Sequence, residues 1–86
     1  MTSVLWLVGP ETDDQLVARL NEALGDLGYS IGNKTTSVGG SQEVVTWTAR
    51  GPHGDLTIES ETYVGITLIG PPVLIDEVRA TFDAMK

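Results

Sequence analysis

A chain of 86 residues has room for a single domain with one modest core, and with no cysteine it holds neither a disulfide framework nor a thiolate metal site or thiol nucleophile. Twelve acidic residues against five basic ones give a formal charge of −7; that sign repels phosphate backbones and anionic membrane surfaces, and Arg19, Lys34, Arg50, Arg79 and Lys86 are too scattered to form a basic patch. The start lacks a basic segment ahead of its short apolar run, and nothing approaches the ~20 apolar residues of a membrane span, so the reading is a soluble, cytoplasmic protein that binds no nucleic acid and no membrane.

In chain order, Ser3 to Val8 is apolar on both faces, which predicts a central strand. A first helix is predicted over about 13–27, where Leu16, Val17, Leu20, Ala23, Leu24 and Leu27 form one apolar stripe. Thr12-Asp13-Asp14-Gln15 fits a capping box at its start, and Gly28 ends it by entering the left-handed conformation. A weaker strand follows over Tyr29 to Val38, then a Gly39-Gly40 turn. Glu43 to Arg50 alternates Val45, Trp47 and Ala49 with Val44, Thr46 and Thr48, which is a strand pattern that puts Trp47 on the core face.

Gly51-Pro52-His53-Gly54 predicts a second turn, leading into a strand from Leu56 to Ile69 with a possible break at 60–63. If that break is a turn, the last stretch is a separate fifth strand. A second helix is predicted over about 72–85, with Leu74, Ile75, Val78, Phe82 and Met85 on one face and Pro71-Pro72 at its start. Leu7-Val8-Gly9-Pro10 and Leu68-Ile69-Gly70-Pro71 each form a strand end and a Gly-Pro corner, so each helix folds back along its own strand.

The fold class is therefore α+β: a two-layer sandwich of a mainly antiparallel, four- or five-stranded sheet with two helices on one face, in the order β-α-β-β-β-α. In general shape alone this resembles a truncated ferredoxin-like or other two-layer sandwich. The other sheet face is then bare. Strand alternation assigns to it Thr46, Thr48 and Arg50, together with Thr57, Glu59, Glu61, Tyr63, Thr67 and, at the end of that stretch, Ile69, and the first strand adds either Val4, Trp6 and Val8 or Leu5 and Leu7.

Candidate chemistry is thin. Glu59 and Glu61 share one side of a strand, with alpha carbons ~7 Å apart, a spacing seen between glycosidase carboxylates. General acid catalysis requires one of them desolvated, whereas their surroundings read as a wet sheet face. His53 is the only histidine and sits in a turn, and a lone histidine beside Asp55 makes a poor metal site. Gly32-Asn33-Lys34-Thr35 lacks the contiguous Gly-Lys-Thr of a phosphate loop and has no following helix.

The sequence thus points to a small, acidic, non-enzymatic interaction module without a cofactor. Its expected partner is a protein or a second copy, bound through the open sheet face in the manner of small inhibitor and immunity-type proteins. The interface candidates are Thr46, Thr48, Arg50, Thr57, Glu59, Glu61, Tyr63 and Thr67, with Trp6 as the anchor if it points away from the helices. The alternative is a small-ligand-binding or regulatory domain with a pocket between sheet and helices, lined by residues such as Tyr29, Trp47 and Phe82.

Overall fold

The computed structural model describes residues 3–39, 42–62 and 64–85. Five strands, β1 (Val4–Gly9), β2 (Ser30–Gly39), β3 (Gln42–Gly51), β4 (Gly54–Glu61) and β5 (Gly65–Gly70), accompany two helices, α1 (Asp14–Asp26) and α2 (Pro72–Ala84). The break within 56–69 is a turn, and β4 and β5 are distinct antiparallel neighbours. The strands lie in the order β1-β5-β4-β3-β2, and every adjacent pair is antiparallel. Because four consecutive hairpin-connected strands lie between α1 and α2, the order departs from the β-α-β-β-α-β of a ferredoxin-like sandwich.

One expectation is overturned. The strand that is apolar on both faces is not central: β1 pairs only with β5 and forms an edge of the sheet. Apolar residues on both faces signal burial in most sheets, but pairing is decided by long-range register, which composition does not encode.

The register explains which side is the core. Directly opposed residues share a face, and the row Trp6, Leu68, Ile58, Trp47 runs from β1 to β3 on one side. Leu56 and Ala49 flank that row, and Ile66 adjoins it on β5. Against them pack Leu20, Ala23 and Leu24 of α1, and Leu74, Ile75, Val78 and Phe82 of α2, all within one buried cluster. Both helices therefore cover the same face, as expected. Leu24, Leu56, Leu68 and Val78 are fully enclosed, and truncating any of these leucines to alanine typically costs about 2–5 kcal/mol.

Local signals place the helices. Asp13, rather than Thr12, is the N-cap of α1: its carboxylate accepts from the Leu16 amide at 3.1 Å, satisfying one donor of the first turn. At the other end Gly28 takes φ +86, its amide donates to the Gly25 carbonyl, and the Tyr29 amide donates to that of Leu24 at 2.9 Å. This paired arrangement is a Schellman motif. Its geometry turns Tyr29 inward beside Leu24, so the helix stop also seats an aromatic ring in the core. Gly65, at φ +116, leaves room for the Gly9 carbonyl where β5 meets β1, a space that any Cβ would fill.

Burial of Tyr29, reinforced by the negative charges of Glu77 and Asp55, pushes its phenol above the usual value of 10.0. A raised phenol pKa means that the unfolded chain loses its proton first. Stability is intact below pH ~10 and falls as pH rises past the unfolded value. Urea unfolding at increasing alkaline pH is expected to show this decline, and Tyr29→Phe is expected to flatten it.

Candidate functional site

The uncovered sheet face is graded. One row runs Leu5, Ile69, Thr57, Thr48, and the next runs Leu7, Thr67, Glu59, Thr46, Thr35. Arg50 and Glu61 continue the same face toward its two ends, Arg50 opposite Asp55 and Glu61 opposite Val44. Seven of the sequence candidates, Thr46, Thr48, Arg50, Thr57, Glu59, Glu61 and Thr67, are thus brought together on one side. Tyr63 lies outside the described residues. The face is apolar toward β1 and polar and charged toward β3, a gradient that the candidate set alone does not reveal.

Trp6 lies on the other face. It meets Phe82 edge-to-face, with ring centroids 5.4 Å apart and planes at 80°. The Arg19 guanidinium sits 3.8 Å from the centroid of Phe82, and that of Arg79 sits 5.9 Å from that of Trp6. Both rings thus carry a cation on a face, from α1 on one side and α2 on the other. The anchor proposed for the open face is instead part of the joint between β1 and the helices. With Trp6 turned inward, alternation sends Leu5 and Leu7 outward, where they are 67% and 53% exposed. These two leucines are the functional candidates that the sequence pointed to only as one of two alternatives.

The two ends of the sheet differ in how they meet solvent. The β2 edge carries exposed Lys34 and a register shift between Gly32 and Thr35, both of which discourage strand addition. The β1 edge, VLWLVG, has no charge and no proline, and its only irregularity falls at its end, between Leu7 and Gly9. Among the described residues no strand pairs with its outer side. Ile69, half-buried beside Leu5, extends the exposed apolar strip by one strand.

The other chemical candidates do not converge. Glu59 and Glu61 are both half-buried on the graded face, among threonines. His53 is exposed in the two-residue turn between the paired Gly51 and Gly54. Among the described residues no group of three or more His, Asp or Glu side chains could hold a metal ion. Among the described residues no helix is long and apolar enough to cross a membrane.

A cleft of about 490 Å³ opens on the helix side, between α1 and the sheet. Its floor is Ile31, Trp47, Ile58 and Ile66, its helix wall Val17 and Leu20, and its polar groups Glu11, Asn21 and Ser60. Of the three aromatic residues expected in such a pocket, Trp47 lines it, while Tyr29 and Phe82 are buried in the core. Ser60 pairs with Ile66 on this side, so it does not belong to the wet face beside Glu59 and Glu61. The chain matches no known protein family, and comparison with curated proteins and solved structures yields no match either.

The sidedness is testable by substitution. Phe82→Ala is expected to destabilise the fold by about 3–5 kcal/mol and to change Trp6 fluorescence, because the ring stack is lost. Thr48→Ala, on the uncovered face, is expected to change stability by no more than about 0.5 kcal/mol. Chemical denaturation of the two variants makes the comparison.

Proposed function

We propose that the protein is a non-enzymatic interaction module whose partner is a second copy of itself, joined by antiparallel pairing of β1 with β1 of the other chain. The observation that carries this reading is a strand of central-strand composition at an unguarded edge, with Leu5 and Leu7 exposed beside it. Pairing across a two-fold axis would make one ten-stranded sheet from two five-stranded ones. It would satisfy the outer hydrogen-bonding groups of β1 and cover the leucines of both chains.

Charge is compatible with self-pairing despite −7 per chain. Within the sheet, the described glutamates nearest the seam on the open face are Glu59 and Glu61, both on β4 and two strands inward. Five strand spacings of ~4.8 Å would separate the two copies of Glu59, about 24 Å in all. That is well beyond the ~8 Å screening length at physiological salt. On the helix side Arg79, over Trp6, brings a cation to the same edge. The α2 helix packs over β1 and β5, so a seam at β1 would set the two α2 helices side by side. That enlarges the contact toward the ~800 Å² per partner of a stable interface.

Sedimentation velocity over a concentration series tests this. Twice the chain mass is expected, with tighter association at higher salt because salt screens the like charges of the two copies. Leu5→Lys is expected to yield a folded monomer, since the exposed site tolerates lysine but the seam does not. A wild-type protein at single-chain mass throughout, or a dimer unaffected by Leu5→Lys, would overturn the proposal.

A further inference from the structure

The cleft between α1 and the sheet lies on the helix side over β2, β3, β4 and the start of β5, and no β1 residue lines it, so it is separate from the outer edge of β1 where the chains would pair. We infer that it is a binding site for a small, flat, apolar molecule bearing a positive charge, such as a protonated amine on an aromatic skeleton.

Three observations carry this. First, α1 packs closely against α2 and stands off the β2–β3 wing. Ile31 is left 43% exposed and Trp47 only half-buried, although both point to the helix side of the sheet. Trp47 lies on β3, one strand in from the β2 edge that carries Ile31, and nothing in the described chain covers either side chain from the helix side. Second, the volume of about 490 Å³ lies within the ~300–1,000 Å³ of small-molecule sites. The broad indole of Trp47, next to Ile31 and Ile58 in the floor, suits a planar occupant.

Third, the polar groups are few and of one character. Among the described residues Glu11 is the only charged one in the wall, and Asn21 and Ser60 add neutral hydrogen-bonding groups. Among the described residues no lysine, arginine or histidine lines the cleft, so a carboxylate or phosphate would meet the Glu11 carboxylate and no counter-charge there. The overall charge of −7 adds to that bias. A fatty acid or nucleotide is therefore a poor fit, whereas a cation gains from Glu11 while its ring covers the apolar floor. Trp47, which lines the cleft, is also the aromatic type that attracts a cation most strongly.

The test uses two probes of the same ring and opposite charge, naphthylmethylamine and naphthoate, titrated at neutral pH into the intact protein and followed by proton–nitrogen correlation NMR. The amine is expected to shift the Trp47 indole signal and the Ile31 and Ser60 amides saturably, binding about ten-fold more tightly than naphthoate, a ratio of ~1.4 kcal/mol. Glu11→Gln is expected to shrink that preference to less than about three-fold, as the charge pairing is lost. Ile31→Trp, at a half-open position whose larger side chain fills the cleft, is expected to abolish binding without lowering the unfolding midpoint. Leu5→Lys is expected to leave binding intact, which separates this site from the β1 seam. Absence of a saturable Trp47 shift, equal binding of both probes, or an unchanged preference in Glu11→Gln would each overturn the inference.

Discussion

The contact between Trp6 and Phe82 organises this molecule. It ties an edge strand to the last helix, and its flanking cations come from both helices, Arg19 over Phe82 and Arg79 over Trp6. Edge-to-face rings contribute roughly 0.5–1.5 kcal/mol beyond their buried area, and more important than that energy is the parity it fixes. Once Trp6 faces the helices, Val4 follows it inward, and Leu5 and Leu7 have no option but the open side. A one-residue change of register in β1 would exchange these sets and leave the tryptophan in water.

That parity gives the molecule two unlike ends. At the β1 end α2 seals the helix side, and unsatisfied apolar surface lies on the open face and along the strand's outer edge. At the β2 end the strand edge is guarded by Lys34 and an irregular register, while the helix side is left unsealed because α1 leans on α2. Two helices of 13 residues cannot roof a five-stranded sheet: neighbouring strands are ~4.8 Å apart and helices pack at ~8–10 Å, so two helices span about four strands at most. The cleft follows from that mismatch. The proposed dimer and the proposed ligand site therefore share one geometric origin, a helix layer narrower than its sheet and displaced toward β1.

Much of the fold was legible in the chain. The leucine stripe of α1, the Leu74, Ile75, Val78, Phe82 stripe of α2 and the Gly28 stop are local patterns, and they appear where local physics puts them. Alternation likewise put six residues of β3 and β4, and Thr67 of β5, on one common face, as the register does, because one parity choice settles a whole strand. The position of β1 was not legible, since no local feature of Ser3 to Val8 states which strand it will pair with. Its side assignment was not legible either: both of its faces are apolar, and only the long-range meeting with Phe82 distinguishes them. The cap at Asp13 instead of Thr12 is a shift of one residue between two competent side chains, decided by where the chain leaves the Gly9-Pro10 corner. The cleft depends on the spacing between a helix and a sheet, a quantity that no sequence pattern carries.

Residue-resolved amide hydrogen exchange along β1, at protein concentrations above and below the dissociation range, tests the central claim most directly. In an isolated chain an edge strand protects only those amides that point at its one neighbour. The account predicts that this alternating pattern, seen in dilute solution, becomes continuous protection from Val4 to Leu7 in concentrated solution, with β2 unchanged. Alternating protection in β1 at every concentration, with its outward amides exchanging as freely as solvent allows, would contradict it.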